Sequence, residues 1–361
     1  MAVTGFGIVR PRGEAPRVAY RSGEEIADLS GLGEPFRQRS LNALMAEGPV
    51  AWAEARAAAA AAPRLPPDEL VVLLPFEVAD YVDFYSSREH ATNLGRLFRP
   101  DAEPLLPNWR RLPVGYHGRA GTVVVSGTPI VRPSGQSKPP GEEPVFAPSR
   151  RLDLELELGF VIGLPSRLGE PVAVGDALAH VFGAVLVNDW SARDLQAWEY
   201  QPLGPFLGKS FATSIGAWVT PLDLLPRVPG EPQEPPPLPY LAAEPLVFDL
   251  ELEVELNGEL VSRTSARHLY WSVEQQIAHL TVNGASLRTG DLLATGTISG
   301  PEPGSRGSLI ELSWNGAEPL ELADGSTRTF LEDGDEIVLR GRAGAVELAE
   351  VRARISPPAG P

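Results

Sequence analysis

The chain has 361 residues, 43% of them hydrophobic and 22% charged, which is the composition of a globular protein with a substantial core and about two domains. Its net charge is −16 and its pI about 4.8, a balance that repels phosphate backbones and excludes nucleic acid and anionic membrane surfaces as expected partners. Cysteine is absent, so disulfides and thiolate metal sites are excluded as well.

Met1 to Arg12 has no positive stretch followed by an apolar one, so no signal peptide is expected. No apolar run reaches the ~20 residues of a membrane helix. The expected location is the cytoplasm. Residues 6–30 alternate short apolar stretches with turns, end at Ile26-Ala-Asp-Leu29, and read as a few short strands. Ala51 to Ala62 is rich in strong helix formers and predicts a helix that Pro63 stops. Pro66-Pro67 reads as a linker. The chain therefore divides into a small domain over 1–70 and a large one over 71–361, where strands punctuated by Gly and Pro dominate.

The large domain opens on Asp83-Phe-Tyr-Ser-Ser-Arg-Glu-His90-Ala-Thr-Asn93. An acid, a phenol, two hydroxyls, a guanidinium and an imidazole so close together line a site more readily than they fill a core. Leu152 to Leu158 alternates strictly: as a strand it sets four leucines on one face and Asp153, Glu155 and Glu157 on the other. Asn188-Asp189-Trp-Ser-Ala-Arg193-Asp-Leu-Gln196 and Gly208-Lys209-Ser210 follow. Hard carboxylate ligands, one candidate base and several cations suit metal-assisted hydrolysis. Pro226 to Pro239 reads as an extended surface loop. Asp249 to Glu255 repeats the acidic alternation, and periodicity alone does not separate a ligand strand from a solvated one. The tail from Pro357 to Pro361 is expected to be disordered.

Lys138 and Lys209 are the only lysines, every other basic residue apart from histidine being arginine. Where only charge matters, a drift toward arginine would have replaced them. Lys209, in Pro205-Phe-Leu-Gly-Lys-Ser-Phe, is read as functional because a point charge and a guanidinium are not interchangeable. Lys138 is read as a loop residue.

The long irregular motifs resemble the fumarylacetoacetate hydrolase family. They are the segment from Asp83 to Asn93, Pro107-Asn-Trp109, Pro113 to Arg119, Val125 to Pro129, Leu154 to Glu157, Asn188 to Gln196, Trp198 to Tyr200, and Pro202 to Ser210. Tyr240, Tyr270-Trp271, Gly296 to Glu302 and Leu309 to Trp314 complete the set. The resemblance spans about residues 80 to 340, with a weaker likeness over the first thirty. It implies a mainly β (α+β) fold, with a small N-terminal SH3-like barrel before a large mixed β-sandwich roll, and a homodimer.

The resemblance also implies the site. Asp83, Glu155, Glu157 and Asp189 would hold a cation, which selects the segment at 152 over the one at 249. Four carboxylates favour Ca²⁺ or Mg²⁺. Lys209 and Thr213 would stand beside a Mg²⁺ position. His90 would be the catalytic base and Glu311 its partner acid. Tyr85, Arg99, Tyr116, Gln196, Tyr200 and Thr297 would bind substrate; Arg193, Gln196 and Lys209 would stabilise developing negative charge. A structural role is expected for His117, and packing or surface roles for His180, His268 and His279. The implied reaction hydrolyses a carbon–carbon bond of a diketo-diacid, 4-fumarylacetoacetate, to fumarate and acetoacetate, the last step of tyrosine and phenylalanine catabolism. The rival readings are an acylpyruvate hydrolase or related keto-diacid decarboxylase or isomerase, and a non-catalytic metal-stabilised binding protein.

Overall fold

The computed structural model describes residues 2–244 and 246–359. Mixed β-sheets dominate and helices are few and short, a mainly β (α+β) architecture. Ala2–Pro11 pairs antiparallel with Arg17–Ser22 and with Leu70–Leu73, and Glu25–Asp28 continues the ribbon. The first two residues of Ala2–Pro11 also pair in parallel with Val346–Ser356. This joins the early strands to Glu336–Ala343, Glu251–Leu256 and Glu259–Ser265 in a ten-stranded sheet. The Ala-rich helix forms over Pro49–Ala58, starting one turn after Asn42–Ala46, with Gly48 at φ +92° before it. Its last predicted residues, Ala59 to Ala62, have turned away before Pro63.

A second, eight-stranded sheet positions the polar motifs. Its order is Gly115–His117, Tyr81–Phe84, Leu292–Ala294, Leu156–Ile162, Val181–Asp189, Thr213–Ile215 and Val123–Val125, with Thr220–Pro221 beside Val181–Asp189. Every residue of Leu156–Ile162 and Val181–Asp189 is buried. Continuous runs such as Val-Phe-Gly-Ala-Val-Leu-Val suit strands covered on both faces. Leu152, Leu154, Leu156 and Leu158 join one large core cluster, as the alternation predicts.

The acidic alternation itself is interrupted. The strand breaks between Leu152–Asp153 and Leu156–Ile162 because side chains take its backbone donors: Asp153 Oδ1 accepts from Leu154 N at 2.8 Å and Asn188 Oδ1 from Glu155 N at 3.0 Å. Glu251–Leu256, by contrast, alternates between exposed or half-buried acids and buried apolar residues. Its three glutamates pair across the sheet with Arg342, Arg263 and Arg340.

The proline-rich segment is pinned rather than free. Gln233 is buried and its amide donates to Tyr270 O at 2.6 Å and Gln275 Oε1 at 2.9 Å. Pro357 to Ala359 has no regular structure; the rest of the tail expectation, at Gly360 and Pro361, lies outside the described residues. No helix among the described residues is long and apolar enough to cross a membrane.

Candidate active site and metal centre

Asp83, Glu157 and Asp189 sit on three strands of the eight-stranded sheet, and Glu155 lies just before Leu156–Ile162. The sheet brings one ligand atom from each of these buried acids to within 4.8 Å of the others. Among the described residues, Glu157 finds no hydrogen-bond partner for either oxygen, and Asp83 Oδ1 finds none. Buried oxygens left bare in this way are costly unless a cation faces them. Burial, then the neighbouring acids, pushes Asp83 and Glu157 well above the carboxylate range. Burial raises Asp189 too, against the pull of Lys209. The acids outnumber the Lys209 ammonium and Arg193 guanidinium beside them, so the donor set fits a hard divalent cation.

Lys209 Nζ donates to Asp189 Oδ2 at 2.6 Å and to Glu155 Oε2. It stands on the short turn Leu207–Ser210, and Glu199 Oε1 accepts from Gly208 N at 2.6 Å at the start of that turn. Gly208 is required by crowding: a Cβ there would lie 2.8 Å from Gln196 N. Burial would lower Lys209, but Asp189 and Glu155 outweigh it and raise it above the ordinary lysine value. Burial would likewise raise Glu155, yet Lys209 and Arg193 hold it at about 2. Thr213 Oγ1 donates to Asp189 Oδ1 at 3.1 Å, and Tyr116 OH to Asp189 Oδ2 at 3.3 Å.

The second constellation is the pair of His90 and Glu311. Ser87 caps the helix Arg88–Phe98, accepting from His90 N, which sets the imidazole in the first turn. His90 Nδ1 lies 2.7 Å from Glu311 Oε2, with both side chains essentially buried. The same oxygen accepts from Ser299 Oγ at 2.9 Å and Ser308 Oγ at 2.7 Å, and Oε1 accepts from Asn93 Nδ2 at 2.9 Å. Burial pushes Glu311 up, but His90 and these donors overcome it and hold the carboxyl below its usual range. With Nδ1 engaged, Nε2 is the nitrogen left for the cleft. The ring of Tyr85 meets that of His90 edge-on at 5.2 Å.

Both constellations border one cleft of about 500 Å³. Asp83, Tyr85, His90, Arg99, Tyr116, Glu155, Arg193, Gln196, Tyr200, Lys209 and Thr297 line it. Glu157, Asp189, Thr213 and Glu311 are buried directly behind them. Arg193 Nη1 donates to Gln196 Oε1 at 3.2 Å and Nη2 to Glu155 Oε1 at 2.7 Å. Thr297 Oγ1 and Arg99 Nε are buried with no hydrogen-bond partner among the described residues. Tyr200 stands at the exposed rim, its OH accepting from Gln201 Nε2. His117 is away from the cleft, exposed, with Nδ1 3.2 Å from Asp80 Oδ2. His180 bonds Leu164 O and His279 bonds Tyr240 OH. Lys138 lies over the ring of Trp198 at 5.2 Å.

Sequence reasoning assigned no role to Ser299, Ser308 or Asp153. Ser308 had a signal, being three residues before Glu311 at a helix start. Ser299 had none, because its place beside Glu311 depends on how the chain folds back. Asp153 belonged to the acidic alternation but is not among the clustered acids. Its Oδ2 accepts from Arg193 Nε at 2.8 Å and Ile310 N at 3.1 Å, and its Oδ1 from Leu309 N at 2.7 Å.

Residues 80–356 match the family model described as Fumarylacetoacetate (FAA) hydrolase C-terminal. The Fumarylacetoacetase of Homo sapiens is 47% identical over 93% of this chain and 90% of its own length. That of Arabidopsis thaliana is 45% identical over 93% and 89%. Among solved structures, a fumarylacetoacetate hydrolase from Exiguobacterium antarcticum shares the fold at a TM-score of 0.63, with 19% identity over 98% of this chain and 99% of that one. A maleylpyruvate hydrolase from Sphingobium sp. SYK-6 does so at 0.59, with 18% identity over 97% and 99%. The matched segment contains both the cluster of four acids and the pair of His90 and Glu311, and the chain belongs to the fumarylacetoacetate hydrolase family.

Proposed function

We propose that this protein is a fumarylacetoacetase: a hydrolase that cleaves a carbon–carbon bond of 4-fumarylacetoacetate, giving fumarate and acetoacetate. The observation that carries the reading is the contact of His90 Nδ1 with Glu311 Oε2, 2.7 Å, beside a cleft that Asp83 and Glu155 of the four-acid centre also line. The similarity to fumarylacetoacetases over most of both chains supports the substrate.

Asp83, Glu155, Glu157 and Asp189 would hold Ca²⁺ or Mg²⁺, and such an ion, when bound, polarises the oxygens of a 1,3-diketone. Thr213 and Lys209 would border a Mg²⁺ position. Tyr85, Arg99, Tyr116, Gln196, Tyr200 and Thr297 orient the diketo-diacid. Glu311 fixes the imidazole so that Nε2 faces the cleft and takes a proton from water. The hydroxide formed adds to the carbonyl carbon next to the olefin. Arg193, Gln196 and Lys209 face the negative charge that develops on the carbonyl oxygen. The carbon–carbon bond then breaks, its electron pair stays on the methylene carbon, and the proton held by His90 passes to that carbon. One water is consumed, and fumarate and acetoacetate leave.

The assembly carried with this reading is a homodimer, the location the cytoplasm, and the division of the chain an SH3-like unit over 1–70 before the catalytic domain. The test is product analysis after fumarylacetoacetate is added to enzyme of defined cation content. Equimolar fumarate and acetoacetate are expected. Faster turnover of an acylpyruvate, or none of either substrate, would replace the reading with another hydrolase of the family or a non-catalytic binding protein.

A further inference from the structure

We infer that Asp153 is a positioning residue: one fully buried carboxylate sets both the guanidinium of Arg193 and the helical turn that carries Glu311. The inference rests on the hydrolase reading for what these two groups do, but its geometry is independent of the substrate.

Asp153 is 0% exposed. Arg193, also buried, reaches it through Nε at 2.8 Å while Nη2 reaches Glu155 Oε1 at 2.7 Å. A guanidinium is a rigid planar fork, so fixing Nε and Nη2 on two carboxylates fixes the whole plane. The edge that remains, Nη1, points to Gln196 Oε1 and the cleft. Without Asp153, Arg193 would meet Glu155 with two parallel hydrogen bonds, the preferred fork geometry, and the plane would turn.

The other contacts of Asp153 act on Glu311. The helix Leu309–Leu312 is a single turn, too short to persist by itself. Asp153 takes its first two backbone donors, Leu309 N at 2.7 Å and Ile310 N at 3.1 Å. Arg306 Nη1 takes Glu311 O at 2.8 Å at the other end. The group expected to receive the oxyanion and the group expected to orient the base are thus referenced to the same side chain.

Two substitutions separate the arms. Asp153→Asn keeps the acceptor for Leu309 N and sets an NH₂ against Arg193 Nε and Ile310 N, which share Oδ2, so it releases the arginine while the shorter of the two bonds to the turn still ties it. Asp153→Ala releases both. In metal-loaded enzyme acting on fumarylacetoacetate, Asp153→Asn should lower kcat about 100-fold, the scale of one oxyanion donor, with KM changed less than about threefold. Placed on Arg193→Gln, Asp153→Asn should add nothing beyond about threefold, because both act through one group, whereas Asp153→Ala should add at least about tenfold through Glu311. Fold losses that multiply in the Asn and Gln double variant, or a single Asn variant within about threefold of the parent, would overturn the inference.

A measurement on the unmutated holoenzyme covers the case in which variants do not fold. The ¹⁵N signal of Arg193 Nε–H, assigned by its absence in Arg193→Gln or by through-bond connectivity, should exchange with solvent at least about 100-fold more slowly than exposed arginines. Exchange at the exposed rate would refute the clamp. If the parent enzyme leaves fumarylacetoacetate uncleaved, the hydrolase reading fails and this exchange rate alone judges the placement of Arg193.

Discussion

Glu311→Gln removes one charge from the site and leaves its outline in place. The amide oxygen can accept from His90 Nδ1, Ser299 and Ser308, the three donors that meet Oε2 at 2.7–2.9 Å. Its NH₂ then faces Asn93, which satisfies it by turning its own amide. What is lost is the carboxylate that stabilises an imidazolium. Two such charges about 4 Å apart at an effective dielectric of about 20 interact by about 4 kcal/mol, which corresponds to about a thousandfold in rate. The measurement is the initial loss of substrate absorbance at fixed cation content, with cation affinity followed separately. We expect kcat to fall about a thousandfold while cation affinity stays within about threefold, since Glu311 is not among the clustered acids. A folded variant that keeps more than a tenth of the parent rate would refute the base-and-orienter assignment. The effect on stability has a definite sign. Glu311 titrates below its usual value in the fold, so its contribution is complete above about pH 4.3 and fades as pH falls through the depressed folded value. The gap between parent and variant should therefore close in acid.

Glu157→Gln should weaken cation binding at least about tenfold by calorimetry, whereas Glu253→Gln, on the ion-paired strand, should leave it unchanged; equal effects would refute the placement of the centre. Asp83, Glu157 and Asp189 are raised in the cation-free fold, so cation-free protein loses their favourable protonation as pH rises through the raised values. Cation binding should release protons, and the Tm difference between loaded and cation-free protein should widen from about pH 4 upward; a flat difference would contradict the assignment. Lys209→Arg should lower kcat by about 100-fold because a guanidinium does not fit between Asp189 and Glu155. Lys138→Arg, which keeps a cation over Trp198, should be silent, and equal small effects would make Lys209 a bystander.

Composition and spacing exposed the inventory of this site well but not its assembly. The alternation from Leu152 to Leu158 showed which leucines enter the core, and the same pattern at Glu251 to Glu255 could not be told from it by period. Burial tells them apart: Glu155 and Glu157 are enclosed, while Glu251, Glu253 and Glu255 meet arginines at the surface. The family resemblance made that choice at the sequence level; in the fold Glu155 and Glu157 lie together with Asp83 and Asp189. The break in the strand was hidden because it depends on Asp153 and Asn188 competing for backbone donors. Gln233 was hidden in a run of prolines, where composition points to solvent but one amide finds a buried partner. Ser299 and the double role of Asp153 depend on contacts between distant segments, which no local pattern carries.

The distance along the chain between groups that meet in the cleft has a kinetic meaning. His90 and Glu311 are 221 residues apart, and Asp83 lies on a strand that pairs with Leu292–Ala294. Closing loops of that size is slow and comes after local structure has formed. Activity should therefore be regained later in refolding than secondary structure, and partly folded chains should contain β-structure but no assembled base. A substitution anywhere along the central strands could then reduce the yield of active enzyme without altering the chemistry of those molecules that finish folding.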